Sequence, residues 1–158
     1  AGKKIPSTLI KRFFRIQKLT SEQVIENYKN LFLILSKYSF DAFGMELENE
    51  QEVIMNLSDI LAETYVAESV YLRVKKLKQS KGSNSTIQHK ENISALQLYE
   101  ANIKIVHCAN TIVDSLPDTK NKVLRCYIKL LTPQPHLNPT RIRRSIAESL
   151  VESKSYNW

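Results

Sequence analysis

Residues 49–78, NEQEVIMNLSDILAETYVAESVYLRVKKLK, run for thirty positions without a glycine or proline. Asn49, with Glu52 three residues on, has the form of a capping box: the Asn side chain accepts from a free amide of the first turn and the carboxylate reaches back. Val53, Leu57, Ile60, Ala67 and Val74 fall on one helical stripe, and Ile54, Leu61, Tyr65 and Leu72 on the neighbouring one. Glu50, Glu52 and Asp59 gather at the start and Arg73, Lys75, Lys76 and Lys78 at the end, the order the helix dipole favours. So wide an apolar band predicts a helix roughly 45 Å long, held by partners on two sides at the centre of an all-α fold. Its expected core residues are Leu57, Ile60, Leu61 and Val70. Truncating Leu61 to alanine is then expected to cost about 2–5 kcal/mol through lost transfer energy and a residual cavity.

Outward from this stretch, Thr20 and Gln23 form another capping box ahead of a helix over 21–43. Val24, Tyr28, Leu31, Leu35, Tyr38 and Ala42 make its line, Phe32 and Ile34 widen it, and Gly44 stops it. The link MELE, 45–48, is so short that the two helices should be antiparallel neighbours. After the polar run QSKGSNST, Ser85 and Gln88 suggest a further box and a helix over 86–115, with Ile87, Ile93, Leu96, Tyr99, Ile103, Val106, Asn110 and Val113 inward. Asp118 caps a helix over 119–131 facing inward through Val123, Tyr127, Ile128 and Leu131. Pro133 and Pro135 force an extended link. Asn138 before Pro139 opens a last helix over 139–153 with Ile142, Ile146, Ala147 and Leu150 inward. The prediction is an antiparallel four-helix bundle, 21–158, with an additional C-terminal helix, preceded by a basic linker or short amphipathic helix over 1–20.

A chain of 158 residues suffices for one core without disulfide or metal. Two cysteines, Cys108 and Cys126, suit a reducing compartment, so a cytoplasmic location is expected, with attachment at the inner membrane as a variant. No run is long and apolar enough to span a bilayer. The opening residue is Ala1, and the chain reads as a piece of a longer or processed protein. Net charge is +7. Within AGKKIPSTLIKRFFRIQKL (1–19), Leu9, Phe13 and Ile16 share one side of a short helix, flanked by Lys11, Arg12, Arg15 and Lys18. This is the expected surface for a partner or an anionic membrane. Further bases run from Arg73 to Lys81 and over Arg141, Arg143 and Arg144. All three clusters also fit plain solvated helix ends. Without interleaved exposed aromatics or a helix-turn-helix they do not point to nucleic acid.

Chemistry is sparse. The three glycines stand alone, so there is no phosphate loop. His89, His107, His136 and the cysteines match no metal spacing, and Cys108 sits mid-helix, where a thiol is inert packing. Asp59/Glu63 and Glu48/Glu52 lack the Glu-x-x-His of a di-iron bundle and read as solvated acids. Tyr65, Tyr71, Tyr99 and Tyr127 could line a cavity between helices but are more often packing. No catalytic, cofactor-binding or metal-binding residue is therefore assigned.

Glu50, Gln51, Leu57, Ser58, Asp59, Ile60, Tyr65, Val70, Leu72 and Arg73 form a pattern that resembles the extra C-terminal helical domain of very-long-chain-type acyl-CoA dehydrogenases. The preceding LSKYSFDAFGMELE fits it, and the tail NPTRIRRSIAESLVESKSYNW is similar to bacterial members. The likeness covers about residues 21–158. It implies a parent flavoenzyme that removes hydrogens from Cα and Cβ of a fatty acyl thioester. Base, FAD contacts and most of the acyl pocket would lie in other domains, with no FAD bound by this chain. The chain would pack on the catalytic domains, influence homo-oligomer formation, or attach the enzyme to a membrane or partner. A stand-alone helical interaction or membrane-surface module is the alternative.

Overall fold

A computed structural model describes residues 19–80, 84–117, 121–134 and 137–153. The described residues contain no strand and form five α-helices: α1 Ser21–Phe43, α2 Gln51–Gln79, α3 Asn84–Ser115, α4 Asn121–Leu131 and α5 Pro139–Ser153. A 3₁₀ turn, Gly44–Asn49, joins α1 to α2.

The start of α1 is locally encoded. Gln23 N donates to Thr20 Oγ1 at 3.3 Å and Thr20 N to Gln23 Oε1 at 3.0 Å, the expected capping box. Its end is encoded by Gly44, whose φ of 54° with ψ of −125° suits a residue without Cβ, and whose N–H donates to Phe40 O. The Asn49 cap is not formed. Asn49 closes the 3₁₀ turn and turns its amide back to Glu46 (3.3 Å), so α2 opens behind Glu50 with no side-chain cap. The turn brings Leu47 against the core, which an immediate helix start would not do. The Ser85 box falls on side chains outside the described residues, and so does the Asp118 cap.

Ion pairs fix the directions. Glu22 meets Lys75 (3.2 Å) and Lys29 meets Glu68 (2.6 Å), so α1 and α2 are antiparallel. Lys78 meets Glu91, and Glu63 meets Lys104 (2.6 Å), so α2 and α3 are antiparallel as well. These pairs are part-exposed and contribute little energy each. Apolar burial does the holding. Tyr28, Leu31, Leu35, Val53, Ile60, Ile105, Ile112 and Leu124 are all but inaccessible to water, and each large side chain is worth roughly 1.5–3 kcal/mol.

The centre of the bundle is α3, not α2. α3 packs against the four other helices, whereas α2 packs against α1, α3 and the 3₁₀ turn. The inward seam of α2 is narrow: Val53, Ile60, Ala67 and Val74, seven apart, alternate with Leu57, Thr64 and Tyr71, the spacing of a coiled-coil seam. Ile60 is fully buried and Leu61, beside it, is 52% exposed. The neighbouring stripe of Ile54, Leu61, Tyr65 and Leu72 thus faces outward, and Val70 is half-buried. In α3 the buried line is Leu98, Ala101, Ile105, Cys108 and Ile112, about one residue rotated from the expected one. Ile103 is exposed, Val106 and Asn110 are half-buried, and Val113 is buried as expected. Ala101 and Ala109, fully buried, let neighbours approach α3 closely. In α4 Leu124 replaces Val123 in the core. α5 begins as expected, with Arg141 N donating to Asn138 Oδ1 at 3.0 Å; it rests on α3 through half-buried Ile142, Ile146 and Leu150, and Ala147 faces out. Ala42 of α1 is exposed too.

Candidate functional site

Leu9, Lys11, Arg12, Phe13, Arg15, Ile16 and Lys18 lie outside the described residues. The other sequence candidates are spread over three helices. Tyr65 is 70% exposed. Tyr71 is half-buried with the Lys75 ammonium 5.6 Å from its ring, and Tyr99 and Tyr127 are half-buried on other helices. Glu63 is taken by Lys104, whose ammonium it holds above the ordinary lysine range by a hydrogen bond and its charge. Cys108 is buried, and desolvation, aided by the nearby charge of Asp59, pushes its thiol up, away from the reactive thiolate. Among the described residues no group of three or more His, Cys, Asp and Glu side chains is placed to hold a metal ion.

The most buried polar feature is one that sequence reasoning missed. Tyr28 on α1 donates to Asn102 Oδ1 (3.0 Å) on α3 and lies 3.4 Å from Leu98 O. Asn102 Nδ2 in turn donates to Gln134 Oε1 (3.2 Å) in the segment after α4. Burial raises the Tyr28 pKa, so the phenol remains a donor. The chain of bonds ties three parts of the fold and contains no nucleophile or base. Its hint in the sequence was Tyr28 itself, a phenol on an inward line that needs a buried partner.

Two shallow grooves are lined by described residues. One, of about 460 Å³, lies between α3 and α4, with Arg125 and Lys129 at its rim. Arg125 is already engaged by Asn110 (2.9 Å) and Asp114 (2.5 Å). The other, of about 470 Å³, runs beside Arg141 and Arg144 at the start of α5. Gly44, the one glycine among the described residues, has nothing within 4 Å of where a Cβ would stand, so no backbone cradle waits there for a phosphate.

The outer face of α2 is the surface with the clearest character. Ile54, Leu61, Tyr65 and Leu72, at steps of seven, four and seven, form a ridge, and Met55 and Val66 flank it, all exposed. Between them lie exposed Ser58, Ala62 and Ser69, and the Ser58 hydroxyl is satisfied by Ile54 O at 2.9 Å. Two acids of this stretch are turned away from it: Glu68 meets α1 and Glu63 meets α3. An uncharged strip thus runs about 27 Å along the helix. Single exposed apolar residues are ordinary, and a strip of roughly 300 Å² is the size of the largest patch on a typical monomer, a kind that is often functional. Among the described residues no helix is long and apolar enough to cross a membrane.

A family model described as "Acyl-CoA dehydrogenase, C-terminal domain" matches residues 27–129. A probable acyl-CoA dehydrogenase of Bacillus subtilis (strain 168) is 22% identical over 134 residues, which are 84% of this chain and 22% of that protein. The crystal structure of an acyl-CoA dehydrogenase complexed with FAD from Bacillus anthracis superposes with a TM-score of 0.78 at 24% identity. It covers 87% of this chain and 24% of that one. The chain therefore spans about a quarter of the length of these relatives.

Proposed function

The chain belongs to the family of acyl-CoA dehydrogenase C-terminal domains, and on that premise we propose that it is the terminal helical module of a flavin-dependent fatty acyl-CoA dehydrogenase. The parent enzyme removes hydrogens from Cα and Cβ of an acyl thioester, with FAD held by its other domains. This module supplies no catalytic, flavin-binding or metal-binding residue. Its work is packing and assembly in a cytoplasmic enzyme. The observation that carries this reading is the family match over 27–129 in a chain spanning about a quarter of its relatives.

The basic segment 1–20 is proposed as a second contact with the catalytic domains, through Leu9, Phe13 and Ile16. Bacterial expression of the full reading frame that contains this chain tests the main reading. The expected product is yellow and reduces an artificial electron acceptor when given a fatty acyl-CoA, while the chain expressed by itself is colourless. A reading frame that opens at residue 1, or a full product with no flavin, would sink it. Salt-sensitive binding of the product to anionic vesicles, lost on Phe13→Glu, would instead assign segment 1–20 to a membrane.

A further inference from the structure

We propose that the outer face of α2 is the seam on which the preceding part of the same polypeptide docks, by one uncharged helical face with carboxylates at its end. This rests on the reading of the chain as a terminal module and names the partner of that module's surface.

Shape gives the first argument. The ridge of Ile54, Leu61, Tyr65 and Leu72 stands beside a shallow trough floored by Ser58, Ala62 and Ser69, with Met55 and Val66 on its far side. Helices pack by setting a ridge of one into the groove of the other. A trough of small side chains lets a second helix approach closely and seat large apolar residues over Ala62. Ser58, whose hydroxyl is bonded within α2, and Glu63 and Glu68, paired with α3 and α1, would not be stranded by that burial.

Charge gives the second. At the end of the strip Lys75 is held by Glu22 and Lys78 by Glu91, but Arg73 and Lys76 are exposed and have no ion-pair partner among the described residues. Lipid headgroups or a protein carboxylate would satisfy both. The strip itself is a straight ridge-and-trough relief, which a fluid acyl-chain surface does not select, whereas a helix does.

Area decides between a helix of the same polypeptide and a second copy of this chain. A strip of about 27 Å on a helix about 10 Å across offers roughly 300 Å², well under the ~800 Å² per partner of a stable association between free proteins. Two copies meeting through this seam alone would not hold. A covalently tethered partner needs far less, since the tether supplies an effective concentration in the mM range. About three quarters of the length of each relative lies outside the region this chain matches, so a tethered partner is what the family membership provides.

A photo-reactive phenylalanine at position 65 in the full-length polypeptide tests this, with mass spectrometry of the adduct. Mixing ¹⁴N- and ¹⁵N-labelled protein identifies links between different copies. The expected adduct joins residue 65 to a helical peptide N-terminal to this chain, and is lost on Ala62→Arg while circular dichroism is unchanged. Should Ala62→Arg unfold the module, charge reversal at exposed Lys76 takes its place, with a weakened adduct expected. Adducts to residues 51–79 of another copy, adducts to lipid when vesicles are present, or no protein adduct would each overturn the seam. Dye reduction by an acyl-CoA is read separately. Activity without the adduct overturns only the seam, and the adduct without flavin or activity overturns only the dehydrogenase reading.

Discussion

Tyr28 and Asn102, 74 residues apart in sequence, meet at 3.0 Å in the buried centre of the bundle. Each satisfies the other, and Asn102 passes the connection on to Gln134. Removing the phenol leaves the Asn102 carbonyl without its donor, and removing Asn102 leaves the phenol only the longer contact to Leu98 O (3.4 Å). Tyr28→Phe and Asn102→Leu are each expected to destabilise the fold by about 1–3 kcal/mol. The double variant should fall short of their sum by at least about 0.5 kcal/mol. Urea midpoints at constant m-value measure both, and strict additivity would show the bond to be energetically idle.

The same phenol makes stability fall at high pH. Burial raises the Tyr28 pKa above its ordinary 10.0, so between that value and the raised one the folded chain keeps a proton that the unfolded chain releases. Below pH 10 both states hold it and Tyr28 contributes no slope; above pH 10 stability falls as pH rises. Cys108, also raised, adds a fall that begins at its ordinary value of 9.0. Thermal melts from about pH 8 to 11, in a Cys108→Ala background, separate the two groups. The decline should be steeper with the tyrosine in place than in the Tyr28→Phe variant, and equal slopes would contradict the burial of the phenol.

Ile60 and Leu61 are neighbours of similar size and opposite fate. Ile60→Ala should cost about 2–5 kcal/mol by opening a cavity between α1, α2 and α3. Leu61→Ala in the isolated chain should stay within about 0.5 kcal/mol. Chemical denaturation of the two variants side by side checks it, and equal losses would contradict the outward placement of the Leu61 ridge.

Ser39 is fully buried on α1 and its hydroxyl has no hydrogen-bond partner. Ser39→Ala removes an unsatisfied oxygen and installs a better helix former, so it should raise stability by about 1 kcal/mol. A lowered melting temperature would mean that the hydroxyl is satisfied in solution.

What was legible in the sequence was whatever a few consecutive residues settle among themselves. Thr20 with Gln23, Gly44 after Phe43, and Asn138 before Pro139 carry their own geometry, and the helix ends fall where they say. Which side of a helix faces inward is different, because it depends on neighbours that the stretch itself does not contain. Leu61, Tyr65 and Leu72 are as apolar as Val53, Ile60 and Val74, and only the placement of α1 and α3 on one side separates the two sets. The rotated seam of α3 has the same origin: Tyr99, Ile103 and Val106 compete with Leu98, Ala101 and Ile105, and close approach over Ala101 and Ala109 favours the latter. The outward strip left a trace that was open to reading. A helix apolar on two sides, with small residues down one of them, has more surface to cover than its two companions can cover.

The central position of α3 has a consequence for biosynthesis. α3 comes third in the chain, so α1 and α2 leave the ribosome before the element on which they pack exists. At about 5–20 residues per second, the thirty-odd residues of α3 take on the order of seconds to appear. For that interval Val53, Ile60 and Ala67 can be shielded only by α1, and none of the described residues that follow covers the Leu61 ridge. On the docking seam proposed above, a partner segment already folded upstream would receive that ridge as it emerges.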